Sequence, residues 1–170
     1  MTLINGAQLK YGMIKNESSA PVIEISMGAE EVIAQASGRF VVDDGSSRME
    51  MAADGSTLLA GWVELPEGKY YSSTGIYTCS ATEGADKAPF TPISACLGVV
   101  FRIPVDSGTY TANMKNNTCD LAVSSNIQGV QLDASAEDTL IVVDGDLVNN
   151  AWVDVMVNPA KITGFTGANA

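Results

Sequence analysis

The sequence predicts a mainly β protein: a compact β-barrel or β-sandwich domain with one or two very short helices and an N-terminal arm. Three observations carry this. Turn dipeptides recur along the chain, at Ser37-Gly38, Asp44-Gly45, Asp54-Gly55, Glu67-Gly68, Glu83-Gly84, Ser107-Gly108 and Asp144-Gly145. The segments between them are short and rich in Val, Ile, Thr and Tyr, which fit a pleated, half-buried surface. Several also alternate apolar and polar residues with the period of a strand. At 170 residues the chain fits one domain of ordinary size or two very small ones, and should bury roughly 70% of the surface its unfolded form exposes.

The first twenty residues, MTLINGAQLKYGMIKNESSA, differ in texture from the rest. They mix Leu3, Ile4, Leu9, Tyr11, Met13 and Ile14 with Asn, Gly, Gln and Lys, show no clean period, and stop at Pro21. Such a segment is a tail, a first strand of its own sheet, or an arm that adds a strand to a partner. The β domain then spans 21–170, and any internal subdivision falls near 80–95.

Strands are predicted over 22–26, 39–43, 49–53, 58–65, 75–80, 97–105, 108–112, 120–124, 128–133, 139–143 and 151–158. In Trp152-Val153-Asp154-Val155-Met156-Val157 the valines share one face, and Trp152, Asp154 and Met156 the other. In Arg48-Met49-Glu50-Met51 the methionines share a face opposite the charges. Leu97-Gly98-Val99-Val100-Phe101 is apolar on both sides, which suits a central strand covered on both faces. Residues 28–36, GAEEVIAQA, could make two helical turns before Gly38, and Ser135-Ala136-Glu137-Asp138 has a capping-box pattern that could open one. Either segment reads equally well as a loop.

One internal echo stands out. Asp54-Gly55, six residues and Trp62 match Asp144-Gly145, six residues and Trp152, and these are the two tryptophans of the chain. A duplicated hairpin would produce this; so would the ordinary likeness of turn-then-strand segments, which is the plainer reading.

Composition narrows the function. There is no histidine, which removes the usual general base near neutral pH, the Ser-His and Cys-His couples, and the commonest zinc ligand. A net charge of −11, with 9 basic residues against 20 acidic ones, repels phosphate backbones and anionic headgroups. Neither nucleic acid nor membrane is an expected partner. Cys79, Cys96 and Cys119 are odd in number, lie far apart and form no CxxC pair, so they read as reduced, buried small hydrophobes. No signal peptide is visible at the N-terminus, and no apolar run approaches the ~20 residues of a membrane span.

Candidate chemistry is thin. Glu30/Glu31, Asp43/Asp44, Glu137/Asp138 and Asp144/Asp146 are paired carboxylates that could do acid–base work or hold a cation. None completes an EF-hand ladder, and solvated acids at turns are the plainer reading. Asp144-Gly145-Asp146 reads first as a tight two-residue turn with positive backbone angles, and otherwise as a longer loop over 144–150. There is no nucleophile elbow, S-x-x-K or phosphate loop, and a thiol without histidine lacks its usual partner. No cofactor and no catalytic residue is expected. Tyr70, Tyr71 and Tyr77 could line a sugar-binding surface, although aromatics on strands more often pack.

Residues 128–152, QGVQLDASAEDTLIVVDGDLVNNAW, run from a Gly-Val start through a small-residue loop, an apolar strand and a tight turn to Asn-rich residues and an aromatic. This order resembles the C-terminal part of the head decoration (cement) proteins of tailed bacteriophages. The resemblance implies a non-enzymatic virion structural protein of β-tulip type, seated on the outer capsid surface between major capsid subunits and assembled in the host cytoplasm. It implies a homo-oligomer, a trimer being usual, with the major capsid protein as partner. It also gives residues 1–20 a role as the capsid-binding arm, with Leu3, Ile4, Leu9, Tyr11, Met13 and Ile14 as contacts. The competing expectations are a carbohydrate- or receptor-binding β-sandwich of a virion fibre or surface protein and, last, an enzyme with carboxylate chemistry.

Overall fold

The computed structural model describes residues 11–15, 22–133 and 136–162, and is mainly β with a closed five-stranded barrel and further sheets. Strand β1 (Gly12–Lys15) is followed by β2 (Ile23–Met27), β3 (Val32–Ala34), β4 (Phe40–Asp43), β5 (Arg48–Met51), β6 (Gly61–Val63), β7 (Ile76–Thr78) and β8 (Lys87–Pro92). A short 3-10 turn at Ile93–Cys96 leads into β9 (Val100–Ser107). Then come β10 (Thr118–Ser124), β11 (Ile127–Gln131), β12 (Leu140–Gly145) and β13 (Trp152–Val157).

Two rings of strands result. In the first, β2 pairs parallel with β5, and the antiparallel pairs β5–β4, β4–β6, β6–β8 and β8–β2 close the barrel. In the second, β9 pairs parallel with β11, and the antiparallel pairs β11–β10, β10–β12, β12–β13 and β13–β9 run round the same way. Taking the ring strands of each half in chain order, the two rings have one connectivity: first beside third, third beside second, second beside fourth, fourth beside fifth, fifth beside first. The fold therefore repeats itself, with β3 and β7 as a two-stranded addition to the first half and β1 as an addition to the second.

The tryptophan echo does not follow this repeat. Trp62 lies on β6, the fourth ring strand of its half, and is fully buried; Trp152 lies on β13, the fifth of its half, and is half-buried beneath the Arg102 guanidinium at 3.7 Å. The two segments occupy non-equivalent places, so their likeness is that of turn-then-strand segments in general.

Alternation decides which side chains reach which core. On β4 and β6, Val41 and Val63 point into the first barrel with Met27, Met49, Ala88 and Phe90. Their neighbours Phe40 and Trp62 point the other way, into a larger core shared with Phe101, Ile103, Leu121, Val130, Val153 and Val155 of the second ring. Phe40, Trp62 and Phe101 meet with centroids 4.7–5.0 Å apart, so an aromatic cluster joins the halves. Gln128 on β11 reinforces the join. Fully buried, its carboxamide accepts the Phe40 N–H at 2.8 Å and donates to the carbonyls of Phe40 at 3.0 Å and Ala52 at 2.9 Å.

The expected alternations hold. Val153, Val155 and Val157 are buried, and Met49 is buried between half-buried Arg48 and exposed Glu50. β9 is central, pairing with β1, β11 and β13, but begins at Val100 because Gly98 turns the chain at φ 78°.

One predicted strand is absent, and three segments left open or unread take definite forms. No strand forms over 108–112: Gly108 turns the chain at φ 79°, and the buried Tyr110 donates its N–H to the Asn150 side chain at 2.8 Å. Residues 28–36 form no helix, since Glu30 is left-handed at φ 58° and Val32–Ala34 pairs with β7. The 136–138 segment is a loop whose three N–H groups, at 2.7–3.1 Å, wrap the buried Asp120 carboxylate. Strand β8 went unread because Pro89 and Pro92 break the donor pattern. Inside the barrel Pro89 still contributes its carbonyl, which accepts the Glu64 N–H at 2.9 Å.

Candidate functional site at the N-terminal strand

Of the six residues expected to contact a partner, Leu3, Ile4 and Leu9 lie outside the described residues, while Met13 and Ile14 lie on β1 in the second ring's sheet and Tyr11 directly precedes it. Strand β1 lies antiparallel to β9, with Gly12 opposite Arg102 and Met13 opposite Phe101, and its register slips between Met13 and Lys15. Met13 packs on the shared core, and Ile14 is 41% exposed. Tyr11 donates its hydroxyl to the Ala151 carbonyl at 3.5 Å. Burial pushes its phenol above the usual range, against the nearby Arg102.

Beside β1 is a largely apolar groove of about 490 Å³ that brings the two halves together. Tyr11 and Ile127 line it from the second half, and Ala34, Ala36, Gly75 and Ile76 from the β3–β7 pair. Gly12 sets how close β1 can lie. A Cβ there would come within 3.1 Å of the Arg39 guanidinium, and the backbone is at φ 118°, which side chains rarely adopt. Arg39 is itself pinned, ion-paired to Glu64 and 5.3 Å above the Trp62 ring. Sequence reasoning missed Arg39 and Gln128. For Gln128 a signal existed, since it shares a strand face with Val130.

The carboxylates of the Asp43/Asp44 and Asp144/Asp146 pairs are occupied by structural partners, Asp43 accepting the Gly45 N–H at 2.8 Å. Asp44 accepts the N–H groups of Ser46 and Arg48 and pairs with the Arg48 side chain at 2.7 Å, which holds its carboxyl below the usual range. Asp144 takes Lys115 at 3.0 Å and the Tyr110 hydroxyl at 3.1 Å, and its pKa is likewise lowered, chiefly by Lys115. Asp146 accepts the N–H groups of Val148, Asn149 and Ala151, closing the loop between β12 and β13, with Asn150 left-handed at φ 54°. The longer-loop reading of Asp144-Gly145-Asp146 is therefore the one that holds. Gly145 is a strand residue opposite Val153, not a positive-φ turn residue. Among the described residues, no three acidic or cysteine side chains gather as metal ligands.

Burial pushes the thiols of Cys79, Cys96 and Cys119 up to about 12, and all three are free and buried. Tyr70, Tyr71 and Tyr77 do not form one platform: Tyr70 is 85% exposed, whereas Tyr71 and Tyr77 pack against the first barrel's core.

Asp86 supplies a pH test. It is buried, accepts the Ser80 N–H at 2.6 Å and pairs with Lys69 at 3.1 Å. The Ser80 bond, aided by Lys69 and Tyr77, holds its carboxyl below the usual range although burial pushes the other way. A depressed folded-state pKa gives stabilisation that is complete above the unfolded value of about 3.9 and lost as pH falls through the folded value. Urea midpoints should therefore drop as pH falls below about 4. Asp86→Asn should lower the neutral midpoint and flatten that acid limb; an acid limb unchanged in the variant would remove Asp86 as a contributor.

No protein-family model, curated protein or solved structure matches the chain.

Proposed function

We propose that the protein is a non-enzymatic virion structural protein that decorates and stabilises the outer surface of a phage capsid, binding between major capsid subunits as a homo-oligomer. The observation that carries this reading is the place of β1. The N-terminal segment enters the fold as a short strand at the margin of the second ring, next to an apolar groove where the two halves meet. An arm beginning there has a rigid base from which Leu3, Ile4 and Leu9 can reach a neighbouring subunit.

Charge supports the same reading. Arg39, Arg48, Lys69, Arg102 and Lys115 are each paired with a carboxylate, so the net −11 is left as an acidic surface. That surface keeps many copies soluble before docking and complements a basic partner. Binding only the assembled lattice stabilises that state by mass action, and a symmetric oligomer multiplies modest contacts.

Deleting residues 1–10 leaves β1 in place. In a co-sedimentation assay with capsids, the deletion should weaken binding at least about tenfold, the equivalent of one or two lost apolar anchors. Undiminished binding by the deleted chain, with its melting temperature unchanged, would sink the arm.

A further inference from the structure

A second depression, of about 510 Å³, lies on the second ring between the Ala112–Met114 turn and the start of the β11–β12 connection. Its size falls within the 300–1,000 Å³ or so typical of small-ligand sites. Met114, Leu132 and Val142 supply apolar lining; Asn116, Asn117, Thr118 and Asp133 supply the polar part.

The backbone of both walls is fixed. On one side Asn116 donates its N–H to Val142 at 2.8 Å, Val142 to the Asn117 carbonyl at 2.9 Å, and Asn117 to Met114 at 2.9 Å. On the other, Leu132 donates to Ser107 at 3.0 Å, and the Ser107 hydroxyl donates to one Asp133 oxygen at 2.7 Å. The side chains are not spent in this way. No hydrogen bond joins the carboxamides of Asn116 and Asn117, or the second oxygen of Asp133, to any described residue. Asn116 is held left-handed at φ 69°, a conformation Asn tolerates better than most residues.

We propose that this depression binds a neutral saccharide. Two carboxamides can each donate and accept, and a carboxylate oxygen accepts, which matches neighbouring sugar hydroxyls. The apolar side chains suit the C–H face of the ring. An anion would meet the Asp133 charge within a chain of net −11, and a divalent cation would find one carboxylate where firm binding needs several. The site is independent of the capsid reading, because it lies on other residues and needs no partner chain.

The test is a titration of the full chain, followed by amide NMR, with galactose, mannose, N-acetylglucosamine and maltose in turn. At least one sugar should give saturable shifts at the amides of residues 114–118 and 132–133. Asn117→Ala and Asp133→Ala, both at exposed positions, should each weaken binding about tenfold without lowering the melting temperature. No saturable shift at these amides with any of the four sugars would overturn the proposal. So would sugar shifts that both variants leave unchanged.

Discussion

Replacing Gln128 with alanine is expected to destabilise the fold by about 3–5 kcal/mol, because the buried Phe40 N–H and Ala52 carbonyl lose their partner and the Phe40 carbonyl keeps only the Ala52 N–H. The Phe40 N–H and the carbonyls of Phe40 and Ala52 all meet this one carboxamide. The variant also leaves a cavity between the halves of the molecule. Urea unfolding followed by tryptophan fluorescence reads the effect selectively, since Trp62 lies in the shared core and Trp152 at the surface of the second ring. If Gln128 ties the halves into one cooperative unit, the wild type should unfold in a single transition and the variant should show a lower midpoint, with first-half and second-half probes drifting apart. A loss under about 1 kcal/mol would mean that the aromatic cluster alone holds the halves together.

The second large effect is expected at Gly145. A Cβ on this residue would come within 2.6–2.9 Å of three atoms of the Tyr110 ring, closer than side-chain carbons approach anything. The ring cannot easily retreat: it is buried, its hydroxyl is bound to Asp144, and its backbone N–H is bound to Asn150. Gly145→Ala should therefore cost about 2–3 kcal/mol by overpacking. Tyr110→Ala alone should also destabilise by opening a cavity. In the double variant the clash is gone, so the two costs should fall short of adding, and a strictly additive pair would show that the ring and the glycine are not in conflict.

This contact explains what the sequence could and could not reveal about Asp144-Gly145-Asp146. The dipeptide looks like a turn because Gly after Asp supplies positive backbone angles in many hairpins. Here the glycine is needed for its missing Cβ, and the partner that needs it, Tyr110, stands 35 positions earlier. Nothing local records that relation. The true two-residue turn lies instead at Ser125-Asn126, with both residues left-handed at φ 51° and 65° between Ser124 and its pair Ile127.

Strands with clean alternation, such as β5 and β13, were legible because one face meets a core and the other meets water or charge. Strand β3 was not legible, since Val32–Ala34 sits in a helix-like context and pairs only with the distant Ile76–Thr78. The loop over 136–138, one of two open readings, was undecidable from the sequence for a related reason. Its N–H groups are satisfied by a carboxylate from β10, not by a cap of its own. The repetition of the two rings left no readable trace either, because the same connectivity is built with different side chains and different loop lengths. At the N-terminus, both an own-sheet strand and an arm were open readings; Gly12–Lys15 forms the strand, and the arm remains the proposal for the residues before it.

The most direct measurement of the proposed function is quantitative mass spectrometry of purified phage particles, before and after protease treatment of their outer surface. A decorating protein should be present at roughly a multiple of sixty copies per particle, as a symmetric shell requires, and should be cleaved while the major capsid protein is spared. Absence of the chain from particles, or a copy number of only a few, would contradict capsid decoration.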